Sequence, residues 1–316
     1  MIIDLSTEAL EYGRQVARAL EAAGGDHLVE QAEADPSRRD HLVAPVLDEL
    51  GAWDLDPRAS SDEMEAAAAL CRSAGTWGTA YPVAERLARP LDLDVRGQFV
   101  VNRVHPSAPV VGLEGSWSAI DVDGRRSLVT ALPPAQTARK SAFVTDVSLA
   151  PVADDGTVFE LALGLVLPCW TLLGMLDRAM DLTRAYVLDR KQFGQPLARF
   201  QSVQFQLTDA EVERIGVEEL AKYALWSLET RRDEMLADAL ALRLATIEAA
   251  ETVFRICHQL HGAIGFCDET TVSWLSRHSQ PIRRLPLSLA ATRDAFTRQV
   301  GSTGLDGLFD AAGAAR

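Results

Sequence analysis

Hydrophobic and polar positions divide the chain into two helical stretches separated by a shorter stretch with strand character. Up to about residue 92, helix caps, acidic first turns and Gly or Pro breakers predict several helices, the first capped by Ser6 or Thr7 and ending at Gly24. From about 93 to 158, short alternating runs predict strands, with Asp123-Gly124 as a hairpin turn. Beyond residue 158 the pattern is helical again.

The pattern beyond residue 158 predicts a helical bundle. One long helix is expected from Phe159 to Arg190, apolar on nearly all sides at its start and kinked at Pro168. Two more long helices, over Arg199–Thr230 and Asp233–Leu260, and a shorter pair after them predict an antiparallel four-helix bundle. The predicted fold class is mainly α with a small antiparallel β region. Its predicted domains are an N-terminal helical domain (1–92), a reduced β domain (93–158) and the bundle (159–316).

Composition narrows the class of protein. The 316 residues are 47% hydrophobic and 24% charged, which is ordinary for a globular chain and excludes a disordered one. A net charge of −14 argues against nucleic acids and anionic membranes as partners. The apolar run Leu161–Leu176 is short for a membrane span and contains Pro168, so a buried helix is the better interpretation. Without a signal-peptide pattern or paired cysteines, we expect a cytoplasmic protein in a reducing compartment.

Two segments carry candidate chemistry. At the end of the long helix, RKQFGQP (190–196) places Arg190 and Phe193 where they form either an ordinary helix end or a phosphate contact. Further on, HQLHGAIGF (258–266) combines two histidines with glycines that allow close backbone approach. No acid or thiol cluster has the spacing of a metal site, so no metal is expected. Motifs of Rossmann cofactor sites, P-loops, zincins and α/β hydrolases are absent from the sequence.

Together the two segments resemble a known family. RKQFGQPLARFQSVQFQLTDAEVE, followed about sixty residues later by HQLHGAIGF, resembles the C-terminal bundle of the acyl-CoA dehydrogenases over residues 160–280. The resemblance implies an N-terminal helical domain, a middle β domain and a C-terminal four-helix bundle. It also implies FAD bound across a subunit interface, with the flavin ring on one chain and the pyrophosphate and adenine on the neighbouring bundle.

The resemblance also assigns candidate cofactor residues. Arg190 would contact the FAD pyrophosphate, and a planar guanidinium suits that role because it binds phosphate with two donors. Phe193 would pack beside it. The full set of implied cofactor-binding positions is Arg190, Phe193, Gln201, Gln259, Gly262 and Ala263. The last three would lie on the adenosine side.

The catalytic parts of the family pattern are missing. The middle region spans only about 65 residues, and the family's flavin-cradling segments are not found in it. In register with Gln259, the place of the catalytic glutamate reads Leu285-Pro286-Leu287-Ser288, and proline cannot accept a proton. Some family members carry the base on the first bundle helix, where Glu160 is the candidate. The alternative role for Glu160 is that of an acid at a helix N-terminus, favoured by the helix dipole.

These features predict a division of labour. The chain resembles the shortened, non-catalytic subunit of a heteromeric acyl-CoA dehydrogenase of the steroid side-chain type, which desaturates an acyl-CoA thioester. Its partner would be a second acyl-CoA dehydrogenase-like chain in an α2β2 heterotetramer that shares FAD between subunits. Two alternatives stay open at this point. One is a complete homomeric enzyme with Glu160 as base, and the other is an assembly or binding protein that has lost FAD.

Overall fold

The computed structural model describes residues 4–131 and 141–303, and it begins with helices. Ser6 caps the first helix, its hydroxyl accepting a hydrogen bond from the Ala9 amide, as the sequence predicts. Ser60 caps the fourth in the same way. The N-terminal helices are α1 (Thr7–Ala23), α2 (His27–Ala34), α3 (Arg39–Asp48), α4 (Ser61–Thr76) and α5 (Val83–Leu87).

A five-stranded sheet follows, with strand order β1-β3-β4-β5-β2. Its strands are β1 (Gln98–Val101), β2 (Ser107–Ala108), β3 (Trp117–Asp121), β4 (Arg126–Ala131) and β5 (Thr145–Pro151). The predicted turn at Asp123-Gly124 joins β3 to β4, an antiparallel pair. The prediction of a purely antiparallel region is wrong for one pairing, because β1 and β3 run parallel. Between them the chain crosses to the far edge of the sheet, where it forms β2, and β3 therefore returns in the direction of β1.

The remaining chain forms the helical bundle. A capping box begins its first helix: the Thr157 hydroxyl accepts from the Glu160 amide, and the Glu160 carboxylate accepts from the Thr157 amide. The helix runs through Pro168, and most of its apolar face is buried inside the protein. The elements are α6 (Val158–Asp189), β6 (Lys191–Gln192), β7 (Gln195–Pro196), α7 (Gln201–Glu229), α8 (Met235–His261), α9 (Thr271–His278), α10 (Gln280–Arg284) and α11 (Leu289–Thr303).

The N-terminal helices and the bundle share a hydrophobic core. Apolar side chains of α1, α3 and α4 pack in one cluster with the first half of α6, where Trp170 is fully buried. At the crossing of α4 and α6 the two backbones approach through glycines. A Cβ on Gly75 would lie 1.9 Å from the Thr171 carbonyl oxygen, and one on Gly174 would lie 1.8 Å from that of Arg72. This contact fixes α4 on α6, while the domain boundaries at residues 92 and 158 stay a prediction.

Candidate functional site

A cleft of about 540 Å³ opens where the C-terminal ends of α6 and α8 meet the start of α7. We call it the bundle-end cleft. Four of the six cofactor positions expected from the sequence line it: Arg190, Gln259, Gly262 and Ala263. Its volume lies in the range of about 300–1,000 Å³ that is usual for small-molecule sites. The structure therefore brings together residues that are about seventy positions apart in the chain, although their role in binding stays a prediction.

Arg190 is the cap residue of α6, and its extended backbone directs the chain out of the helix. Its side chain is exposed, and no carboxylate within residues 4–131 and 141–303 pairs with it. The neighbouring Arg184, in contrast, is bound by Glu211 at 2.7 Å. A guanidinium whose donors are unused at the mouth of a cleft is suited to bind an anion such as phosphate.

Phe193 stands at the tip of a tight hairpin formed by β6 and β7. Both turn residues, Phe193 and Gly194, have positive φ angles (51° and 81°), the conformation of a type I′ turn. The Phe193 ring is 91% exposed and meets Phe200 edge-on at 6.2 Å between ring centroids. The hairpin thus holds an aromatic side chain outside the chain's own core, next to Arg190.

The last predicted position, Gln201, begins α7 with an exposed side chain and does not line the cleft. Four polar or aromatic residues that sequence reasoning missed line it instead: Tyr186, Gln192, Gln206 and His261. Tyr186 could have been predicted from the sequence, because it lies one helical turn before Arg190 and therefore on the same face of the helix. His261 belongs to the HQLHG segment, but nothing in the sequence distinguishes it from His258.

The structure gives the two histidines of this segment different surroundings. His261 is 7% exposed, stacks on Tyr186 at 4.5 Å between ring centroids, and has its Nδ1 2.8 Å from the Cys257 carbonyl oxygen. His258 stacks on Phe266 at 4.3 Å and does not line the cleft. Burial lowers the pKa of both imidazoles below the ordinary value, which keeps them neutral at pH 7.

The cleft fits the nucleotide half of FAD better than it fits a metal. It offers an unpaired guanidinium, three glutamine amides and a backbone turn at Gly262 (φ 65°) where even an added Cβ would meet nothing within 4 Å. Open backbone, amides and a guanidinium are the groups that bind phosphates and ribose hydroxyls. Within the described residues no three His, Cys, Asp or Glu side chains are grouped as metal ligands.

The segment Leu285–Ser288, where the sequence resemblance places the family's catalytic base, is packed around a buried cation. Arg243 of α8 is 2% exposed and donates hydrogen bonds to the carbonyl oxygens of Ile282, Leu285 and Leu287 at 2.7–3.1 Å. Pro286 is buried between the last two. The two terminal nitrogens of this guanidinium donate to main-chain oxygens, while its buried Nε finds no partner among the described residues. The Pro286 side chain offers no atom that accepts a proton.

Glu160, the alternative base, is engaged elsewhere. Besides its capping box with Thr157, its Oε1 lies 3.8 Å from a guanidinium nitrogen of Arg126, and the residue is 9% exposed. Glu160 does not line the bundle-end cleft. Its contacts match the helix-start role that the sequence offered as the alternative.

Two further clefts lie between the sheet and the helices, with stacked side chains in the wall of the smaller one. An outer cleft of about 400 Å³ and an inner cavity of about 70 Å³ share His278 in their walls. Between them, the Arg39 guanidinium lies 4.3 Å from the Phe143 ring centroid, and Phe143 lies 5.4 Å from His278. Arg39 is anchored by the carbonyl oxygens of Ala80, Pro109 and Val111 at 2.6–2.9 Å. The interior space on this side is therefore small.

Comparison with known proteins identifies the class. Residues 161–285 match the family model described as "Acyl-CoA dehydrogenase, C-terminal domain". The ChsE4-ChsE5 complex from Mycobacterium tuberculosis superposes with a TM-score of 0.75 at 16% identity, covering 96% of this chain and 100% of that chain. A variant of the Tcur3481-Tcur3483 steroid ACAD gives 0.74 at 20% identity, covering 94% and 97%. The fold is that of the acyl-CoA dehydrogenases.

Sequence similarity to the first curated relatives covers only part of each protein. Acyl-CoA dehydrogenase FadE28 of Mycobacterium tuberculosis is 36% identical over 92 residues, which are 29% of this chain and 27% of that protein. The matched part spans 27–32% of the length of the first curated relatives. Residues 161–285 are thus similar to the C-terminal domain of the acyl-CoA dehydrogenases, a family of FAD-dependent oxidoreductases.

Proposed function

We propose that this chain is one subunit of a heteromeric FAD-dependent acyl-CoA dehydrogenase and supplies the binding site for the pyrophosphate and adenosine of an FAD held by a partner chain. The observation that carries the proposal is the bundle-end cleft, where the unpaired Arg190 lies with Gln259 and the Gly262-Ala263 turn. When bound, FAD would supply the hydride acceptor for α,β-desaturation of an acyl-CoA thioester. The chain's own task would be to bind and orient that cofactor.

The absence of a proton acceptor at Pro286 supports a division between two chains. A desaturase needs a base within hydrogen-bond reach of the substrate's α-proton. Glu160 is held in its capping box and Pro286 packs beside Arg243, so the base would come from the partner chain. The similarity in fold to the ChsE4-ChsE5 complex and to a steroid ACAD supports a two-chain assembly and a steroid side-chain acyl-CoA as substrate. An α2β2 heterotetramer with one FAD per pair of unlike chains follows from this inventory.

Surface chemistry favours such an assembly. The Phe193 ring is 91% exposed at the tip of a tight hairpin, where contact with a partner chain would remove its apolar surface from water. We propose that the partner chain and its FAD cover Phe193 and the mouth of the cleft.

Flavin content and mass of the purified protein test the proposal. The chain is to be purified alone and after co-expression with each acyl-CoA dehydrogenase-like chain of its source organism, and measured by absorbance and light scattering. We expect no flavin absorbance from the chain alone, and one FAD per pair of unlike chains in a heterotetramer. A yellow homo-oligomer with one FAD per chain would support the complete homomeric enzyme instead. A protein that never takes up flavin with any partner would support an assembly role.

Arg190→Lys in the co-purified complex tests the cleft itself. Lysine keeps the charge but loses the second parallel donor, and a charge-assisted hydrogen bond is worth about 1.5–3 kcal/mol. We expect FAD to dissociate about 10- to 100-fold more readily. Arg199→Lys is the matched control, since Arg199 is exposed nearby but does not line the cleft. Equal FAD retention in the two variants would refute the assignment of Arg190.

A further inference from the structure

The ring pair Tyr186–His261 distinguishes the inner part of the bundle-end cleft from its mouth. The two rings lie 4.5 Å apart between centroids and within 20° of parallel, and both line the cleft. Apolar side chains flank them, Leu197 and Ile264 among others. Arg190 also lines the cleft but is exposed. The cleft therefore combines an anion-binding group at its mouth with a flat aromatic and apolar slot, an arrangement suited to a nucleotide.

The hydrogen bond to the main chain fixes the tautomer of His261. Its Nδ1 is 2.8 Å from the Cys257 carbonyl oxygen, and because a carbonyl only accepts, Nδ1 carries the proton. In the neutral ring Nε2 is then a hydrogen-bond acceptor. Within residues 4–131 and 141–303 no group bonds to Nε2, and this nitrogen is not one of the buried atoms sealed from solvent. His261 thus offers one fixed acceptor to whatever enters the slot.

A fixed acceptor beside an aromatic slot selects among planar heterocycles. The exocyclic amine of adenine donates a hydrogen bond, whereas hypoxanthine carries a carbonyl oxygen at the same place and would set two acceptors against each other. Leaving polar groups unpaired in a partly desolvated site is where hydrogen-bond specificity is strongest. The His261 side chain cannot adapt easily, because Tyr186 and the Cys257 carbonyl hold both its plane and its rotation.

We propose that His261 is a specificity-determining residue whose Nε2 accepts a hydrogen bond from the amino group of adenine in the nucleotide half of the cofactor, with Tyr186 holding the imidazole in place. This inference rests on the proposed function, since it places the adenosine part of FAD in the bundle-end cleft. It adds the base-recognising contact to the phosphate contact of Arg190.

Nucleotide binding to the full-length chain tests the inference. ADP and IDP are the probes, titrated at up to millimolar concentration and followed by calorimetry and by the imidazole ¹⁵N resonances of histidine-labelled protein. His261→Phe keeps a ring on Tyr186 but removes the acceptor. His258→Phe is the matched control, because His258 stacks on Phe266 outside the cleft. We expect ADP to bind more tightly than IDP and to move the Nε2 resonance of His261.

In His261→Phe we expect ADP affinity to fall about 3- to 10-fold, the scale of one neutral hydrogen bond, and the preference for ADP over IDP to disappear. His258→Phe should keep both the affinity and the preference. An ADP preference that persists in His261→Phe, with binding still weakened by Arg190→Lys, would overturn the role of His261 and leave the phosphate contact standing. No ADP binding to the unmodified chain would overturn both proposals together.

Discussion

Glu218 is expected to link the stability of this protein to pH through a ring of four charged side chains. The ring joins α4, α6 and α7: Arg72 and Arg214 each contact both Asp177 and Glu218, at distances of 2.6–3.0 Å. Burial alone would raise the pKa of Glu218, but the hydrogen bonds and charges of Arg72 and then Arg214 outweigh it and lower the pKa from 4.5 to about 2. The ring therefore depends on an ionised Glu218.

The size of this effect follows from the two pKa values. A carboxyl with a pKa of 4.5 in the unfolded chain and about 2 in the folded protein contributes about 3 kcal/mol to the free energy of unfolding at neutral pH. Because the folded pKa is the lower one, the contribution is fully present above the unfolded pKa and is lost as pH falls toward 2. At pH 3 roughly 1 kcal/mol would remain.

Urea unfolding of Glu218→Gln and the unmodified protein, at steps from pH 7 to pH 3, measures this dependence. We expect the variant to be less stable at pH 7, and the difference in unfolding free energy to shrink by about 2 kcal/mol by pH 3. Glu213→Gln is the control, since Glu213 is exposed on the same helix outside the ring, and its replacement should change the unfolding free energy little. A difference for Glu218→Gln that stays constant over this pH range would refute the reasoning.

Two further substitutions test the fold and the alternative base. Glu160→Gln should leave turnover of the assembled enzyme within a few-fold, because Glu160 caps α6; a loss of a hundredfold or more in steady-state assays would instead identify it as a general base. Gly75→Ala should destabilise the protein by about 3 kcal/mol or more in urea unfolding, since the new Cβ would collide with the Thr171 carbonyl oxygen. Gly216→Ala is the control, because an added Cβ there would meet nothing within 4 Å, and it should be neutral or stabilising by up to about 1 kcal/mol. Equal effects of the two glycine substitutions would contradict the close packing of α4 on α6.

Sequence reasoning succeeded where the signal is local. Ser6, one of the two caps predicted for the first helix, marks a helix start that the structure confirms, because a capping side chain bonds to an amide only two or three residues away. It failed for the direction of β1 against β3. Alternation along a strand shows which residues face the core, but strand direction depends on the route of the chain between strands, which alternation does not encode.

The difference between local and long-range signals also explains which site residues could be predicted. Arg190 and Gln259 lie near the ends of two packed helices and line one cleft, and it was the resemblance of both segments to one family that predicted their proximity. The stack of Tyr186 on His261 joins positions 75 residues apart, so it depends on how α6 and α8 are aligned along their lengths. That alignment is set by buried contacts such as the packing around Cys257 and Met180, which no single segment reveals.

Arg243 bears on the expectation that the chain has no catalytic base at Pro286. Its guanidinium donates to the carbonyl oxygens on either side of Pro286, so a carboxylate placed at that position would lie beside a buried cation. Such a cation lowers the pKa of a neighbouring carboxyl and makes it a weaker base. Burial lowers the pKa of Arg243 itself, yet a guanidinium remains charged at neutral pH. The surroundings of Pro286 are thus built to hold main-chain oxygens, whereas those of Arg190 leave a guanidinium free for an anion from outside the chain.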